Sequence, residues 1–100
     1  MNVFLTGING FLVGNLAPWL RDRGHQISGT SHTMNEKFPT VIWRLGDHID
    51  RSRLASVELL IHAAHDFTAG AMGRNVQGTI LLEQEARAAG VKRQILISSL

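Results

Sequence analysis

The stretch from Asn2 to Leu16, NVFLTGINGFLVGNL, decides how the rest of this 100-residue chain is read. Val3, Phe4 and Leu5 are too few to cross a membrane and are β-branched or aromatic enough for a buried strand. Gly7 and Gly10 interrupt the apolar run, and an amphipathic stretch resumes at Phe11. The reading is a strand, a tight turn and a helix. Glycine supplies backbone angles that other residues avoid, and it lets a ligand touch the main chain with no Cβ in the way. A helix beginning there aims unpaired N–H groups and the positive end of its dipole at whatever lies over the turn, and a phosphate suits that place best. The stretch predicts a site for a dinucleotide pyrophosphate, although a glycine turn also follows many strands for purely structural reasons.

Outward from this turn the chain alternates. Phe11, Leu12, Leu16, Trp19 and Leu20 fall at helical spacing, with Asn15, Arg21, Asp22 and Arg23 on the wet face and Gly24 as the C′ residue. Pro18 removes one helical hydrogen bond and crowds the carbonyl of Gly14, which predicts a bend. His25 to Ser31 reads as a second strand, and the residues up to Pro39 leave room for a loop or one helical turn. Thr40 to Leu45 (TVIWRL) reads as an edge strand, and Asp50 to Ser56 as a short helix capped by Asp50. Leu59 to Ala64 (LLIHAA) is apolar enough for a strand buried on both faces. Met72 to Ala89 is the longest helix, its expected core stripe being Met72, Val76, Ile80, Leu82, Ala86 and Ala89, with Gly90 as the stop. Gln94 to Ser99 is the fifth strand. Strands and helices in alternation imply an α/β fold, a doubly wound parallel sheet in the order 3-2-1-4-5, with the ligand crevice between the carboxyl ends of strands 1 and 4.

Composition narrows the function classes. With 44% hydrophobic and 18% charged residues the chain is no candidate for disorder. No apolar run is long enough for a membrane helix, and the start MNVFL lacks the pattern of a signal peptide, so the cytoplasm is the expected compartment. The absence of cysteine excludes disulfides and thiolate metal sites. A net charge of +2 with scattered arginines gives no basic face for nucleic acid.

Further motifs lie along the chain. Thr6-Gly7-Ile8-Asn9-Gly10-Phe11-Leu12 matches T-G-x-x-G-F-[IL], Gly46-Asp47 matches a G-D after strand 3, and Ile61-His62-Ala63-Ala64 matches [IV]-H-x-A-A. Asn75-Val76-Gln77-Gly78-Thr79, Ala89-Gly90-Val91-Lys92-Arg93 and Ile97-Ser98-Ser99 match N-V-x-G-T, A-G-V-K-R and I-S-S. In this order and spacing they resemble the N-terminal part of the extended short-chain dehydrogenase/reductases, the branch that includes nucleotide-sugar epimerases and dehydratases. The resemblance implies a Rossmann fold, with residues 1–100 as an NAD(P)-binding domain. It also implies an enzyme that transfers a hydride at a carbinol or carbonyl carbon, alone or within an epimerisation or dehydration. That family's Tyr-x-x-x-Lys pair follows strand 5, whereas this sequence holds no tyrosine and ends at Leu100. The chain is therefore expected to be part of a longer protein, truncated after strand 5, and inactive as 100 residues alone. Val13 stands where the family has a third glycine, so a branched side chain is expected at a place of close helix packing, and Val13→Gly is expected to leave binding equal or tighter.

The resemblance also implies roles by position. Gly7, Asn9, Gly10, Phe11 and Leu12 form the cofactor turn. Asp47 would accept a hydrogen bond from the adenine amino group, or it could simply cap a turn; His48 would follow with backbone contacts. Ala63 and Ala64, followed by His65, would let the cofactor pass over strand 4, although small residues also suit tight packing. His62 and His65 could suggest a metal pair, but no third ligand has suitable spacing, so His62 reads as a packed strand residue and no metal is expected. Asn75 would help hold a water relay to the absent lysine, and Ser99, or Ser98, would be a substrate hydroxyl unless it merely ends a strand. Ser31 and His32 occupy the end of strand 2, where NAD-preferring members carry an acid. With no carboxylate there, Ser31, His32 and Lys37 could bind a 2′-phosphate, and the reading leans to NADP over NAD. The expected partner is a small-molecule substrate, with neither nucleic acid nor membrane; a homodimer is compatible with the sequence. The alternative function is a non-catalytic NAD(P)-binding redox sensor or interaction module.

Overall fold

A computed structural model describes residues 1–65 and 68–97. In chain order the elements are β1 (Asn2–Thr6), α1 (Phe11–Asp22), β2 (Gln26–Ser31), β3 (Thr40–Ile42), a 3-10 turn (Arg51–Arg53), β4 (Leu59–His62), α2 (Met72–Ala88) and β5 (Arg93–Leu96). All five strands are parallel and lie in the order β3-β2-β1-β4-β5, as the alternation predicts.

Strand periodicity divides the core. On β1, Val3 and Leu5 point to one face and join Ile8, Val13, Ala17, Ile27, Phe38 and Ile61 around α1. Phe4 points to the other and joins Trp43, Leu45, Ile49, Leu54, Leu60, Leu82, Ala86 and Val91 around α2. Full burial of a side chain such as Phe4, Leu5 or Leu60 contributes about 2 kcal/mol. A slip of one residue would exchange the two faces, so these residues hold the register of the central strand.

Both helices end on glycine as expected. Gly24 and Gly90 adopt positive φ, and the bonds Gly24 N–H to Arg21 O, His25 N–H to Leu20 O, Gly90 N–H to Arg87 O and Val91 N–H to Ala86 O close two Schellman motifs. α1 runs on through Pro18 to Asp22.

Which helix faces are buried agrees with expectation only in part: Leu82 and Ala86 of α2 and, less deeply, Ala89 at its C-cap and Leu16 and Leu20 of α1 pack against the core as expected. In α1 the buried residues are Val13 and Ala17, while Phe11, Leu12 and Trp19 are exposed. In α2 they are Gly78, Leu82 and Ala86, while Met72, Val76 and Ile80 form an exposed stripe. Small residues win the inward face because each helix approaches the sheet and its loops closely. A Cβ added to Gly78 would lie 2.7 Å from the Gly46 nitrogen and 2.8 Å from Leu45 Cγ. Val13, the branched side chain expected at a place of close helix packing, is 2% exposed and packs into the α1-side core.

Strand lengths differ too. β3 stops at Ile42 because the chain turns, with Asp47 N–H donating to Arg44 O and Arg44 N–H to Asp47 Oδ2. Asp50 caps as expected, accepting from Ser52 N–H at 3.0 Å, which lowers its pKa, but the helix it starts is only the 3-10 turn. β4 ends at His62, ahead of Ala63 and Ala64. Ser98 and Ser99, expected in strand 5, lie outside the described residues.

Candidate functional site

The turn after β1 is built for close approach. Gly7 has φ +71°, and its Cβ position lies 3.4 Å from the Ala64 Cα, so the turn rests against the chain leaving β4. Gly10 N–H donates to Gly7 O at 2.8 Å, and a Cβ on Gly10 would sit 3.0 Å from that oxygen. α1 starts on Gly10 with no capping side chain and no acidic residue in its first turn. Its first-turn N–H groups therefore face outward beside the β1/β4 boundary, with the helix dipole behind them. These features suit a pyrophosphate. Phe11, 91% exposed, and Leu12 open the helix on its solvent side.

Below the turn lies a buried polar bracket. Thr6 Oγ1 accepts the N–H of Ala63 at 2.9 Å and of Ala64 at 3.0 Å, and lies 2.7 Å from His62 Nδ1. His62 Nε2 reaches Thr79 Oγ1 on α2 at 3.0 Å, and Trp43 meets the imidazole edge-on. His62 is 5% exposed, so it is a packed strand residue as read from the sequence. Burial, with a smaller contribution from His65, pushes its pKa down to about 4, and the ring is neutral near pH 7.

At the end of β2 a polar clamp joins the loop to the glycine turn. Asn9 Nδ2 donates to Ser31 Oγ at 2.8 Å, to Thr33 Oγ1 at 3.2 Å and to Thr33 O at 3.3 Å, while Asn9 Oδ1 accepts from Asn35 Nδ2 at 2.7 Å. Ser31 also accepts from Thr33 N–H, so the buried hydroxyl keeps one proton to donate. Next to it, His32, Arg44, Leu45, Ala64, His65, Thr68 and Arg74 line a cavity of about 390 Å³. Lys37 lies elsewhere, in a groove with Ile8, Gly14, Pro18 and Phe38.

The turn after β3 is clamped by α2. Asp47 gives one carboxylate oxygen to Arg44 N–H, its carbonyl accepts from Trp43 Nε1 at 2.9 Å, and the residue lines an open hollow with Gly46, Arg74 and Gly78. It caps its turn, then, and still presents a carboxylate oxygen. Glu85 of α2 accepts Ile49 N–H at 3.3 Å and lies 3.5 Å from the exposed His48. Asn75 Nδ2 stands 3.4 Å from His65 Nε2. Among the described residues no three His, Asp or Glu side chains gather in a way that could hold a metal. Ser99 lies outside them.

The structure thus sets Gly7 against Ala63 and Ala64, brings Ala64, His65 and His32 to one cavity, and ties Ser31 to Asn9 beside it, while Phe11 and Leu12 are exposed and share none of these contacts. Sequence reasoning missed Thr6, Thr79, Gly29 and Gly78. The signal for Gly29 was a glycine inside a strand pattern, which marks close backbone approach. A Cβ there would lie 2.2 Å from Leu5 O, where Ile8 N–H folds back to bond Thr30 O.

No family model matches the chain, and neither does any curated protein. Solved structures do. A short-chain dehydrogenase/reductase superfamily protein from Agrobacterium tumefaciens with bound NAD matches 99% of this chain and 33% of its own, at 24% identity and TM-score 0.80. Yeast methylglyoxal/isovaleraldehyde reductase complexed with NADPH matches 99% of this chain and 38% of its own, at 18% identity and TM-score 0.82. The UDP-glucose 4-epimerase of Thermotoga maritima matches the same shares at 18% identity and TM-score 0.77. At these identities the match over nearly the whole chain is a likeness of fold. The chain spans about a third of the first of these proteins and under two fifths of the other two.

Proposed function

We propose that this chain is the NAD(P)-binding portion of an oxidoreductase or epimerase/dehydratase acting by hydride transfer at a carbinol or carbonyl carbon. The observation that carries the reading is the uncapped start of α1 beside Gly7, at the crevice between β1 and β4. When bound, the nicotinamide supplies or accepts the hydride. The first-turn N–H groups of α1 hold the pyrophosphate, the small Ala63 and Ala64 leave room above β4, and Asp47 presents its carboxylate to the adenine. NADP is the preferred cofactor in this reading, because His32, Arg44 and Arg74 bring positive or protonatable groups to one cavity beside the end of β2. Ser31, buried beside that cavity and bonded to Asn9, positions the loop, while Lys37 takes no part. Asn75 would take part in a water relay and Ser99, outside the described residues, would offer a hydroxyl to the substrate, a small molecule.

Calorimetry on the complete protein tests this. NADPH and NADH should both bind, NADPH more tightly, and Gly10→Val should abolish both while leaving the helical circular dichroism in place. Unchanged affinity in Gly10→Val would overturn the site, and tighter NADH binding by the parent would overturn the lean to NADP.

A further inference from the structure

We infer that His62 is a positioning residue for the dinucleotide: fixed as its Nε2–H tautomer between Thr6 and Thr79, it aims the Thr6 hydroxyl so that Ala63 and Ala64 stay pinned beneath the glycine turn. The inference rests on the dinucleotide reading above and adds what keeps the floor of that site in place.

Counting protons on one oxygen carries it. A threonine hydroxyl has two lone pairs and one proton. At Thr6 the N–H groups of Ala63 and Ala64 take both lone pairs, so the proton must go to His62 Nδ1, 2.7 Å away. Nδ1 is then bare, and the single proton of the neutral ring sits on Nε2, from which it is donated to Thr79 Oγ1. Among the described residues no buried side-chain nitrogen or oxygen lacks a partner, so the bracket is complete as it stands. A second proton on the ring would put an Nδ1–H against an oxygen with no lone pair left, and the hydroxyl would have to release Ala63 or Ala64 to accept it. Those two residues lie against Gly7, with the Ala64 Cα 3.4 Å from the Gly7 Cβ position, so their release would shift the floor under the pyrophosphate turn. α2 enters the site through the same bracket, because the acceptor for Nε2–H is its Thr79.

Among the described residues the titratable groups around the ring are few. His65 follows β4, Glu83 and Arg87 come from α2, and Lys92 precedes β5; the last three line a cavity that reaches His62 and Thr79. β1 contributes Thr6, and the chain after β3 contributes Trp43, neither of which titrates in the working range.

Two measurements on the complete protein decide the matter. Long-range ¹H–¹⁵N correlation of histidine-labelled protein without cofactor should show His62 as the neutral Nε2–H tautomer at pH 7 and still neutral at pH 5. The Nδ1–H tautomer, or an imidazolium at pH 7, would overturn the inference. Calorimetry with NADPH and NADH should find both weakened about tenfold in Thr79→Val, the worth of one lost hydrogen bond, and restored in Thr79→Ser. Equal loss for both cofactors is expected because the floor serves the part they share. Unchanged affinity in Thr79→Val, or no recovery in Thr79→Ser, would overturn the inference while leaving the dinucleotide reading intact. Absence of binding by the parent would overturn that reading itself. Should Thr79→Val fail to fold, the tautomer measurement alone decides.

Discussion

Two polar clamps hold the crevice, and they differ in where their bonds lie. The Thr6–His62–Thr79 bracket lies between the sheet and α2, buried at Thr6 and part-buried at Thr79, whereas the Asn9–Ser31–Thr33–Asn35 clamp lies mostly at the surface. Water can replace a bond at the surface at little cost, but a buried group left without its partner keeps the whole desolvation penalty. The inner clamp therefore governs stability and the common floor of the site. The outer one shapes the loop after β2, to which the proposed function gives the choice between cofactors.

Four changes probe that contrast. The largest effect is expected from Gly29→Ala, where a methyl would meet the Leu5 carbonyl at 2.2 Å and force β1 from β2. It should cost about 3 kcal/mol or more in urea unfolding. A cost below about 1 kcal/mol would show that the β1–β2 pairing yields easily and that the buried side is not the rigid one.

Acid comes next. The His62 pKa is depressed to about 4 in the folded chain, so the unfolded chain takes up a proton first as pH falls below its ordinary value near 6.5. The contribution is fully present above pH 6.5 and is lost progressively between 6.5 and 4, reaching about 3 kcal/mol at the lower end. Unfolding curves across that range should be steeper with pH in the parent than in His62→Gln, and equal slopes would refute the assignment.

Val13→Gly asks whether the helix at the turn belongs to the buried side. Emptying a core position and placing glycine within α1 should cost about 2 to 3 kcal/mol, measured by thermal or urea unfolding. The smallest change is Asn9→Ala, expected to lower stability by less than about 1 kcal/mol. Its signature is the ratio of NADPH to NADH affinity, which should change more than either the melting temperature or the circular dichroism.

The topology was legible because it depends on alternation and apolar runs, and five parallel strands in the order 3-2-1-4-5 needed nothing finer. The inward faces of the helices were legible only in part. Leu82 and Ala86 were read as inward and are buried, but Met72, Val76 and Ile80 share the apolar spacing of α2 and lie exposed while Gly78 faces inward, because contact with the Leu45 side chain and the Gly46 backbone selects for small size as well as for hydrophobicity. Periodicity weighs only the second. The glycine turn, Asp50 as a cap and His62 as a packed residue were visible, since each depends on near neighbours or on the character of one strand. The roles of Thr6 and Thr79 were hidden, because their bonds join residues far apart in the sequence, and Asn9 looked like a turn residue until the loop after β2 lay beside it.

The Thr6 hydroxyl has one further consequence, for amide hydrogen exchange. Ala63 and Ala64 come after the last residue of β4, where amide protons ordinarily trade with solvent through small local openings. Here both are bonded to a side chain rooted in the central strand. Their exchange waits on an opening that parts β1 from β4, so two loop amides carry the protection of the core, and the crevice floor becomes one of the last parts of the chain to let deuterium in.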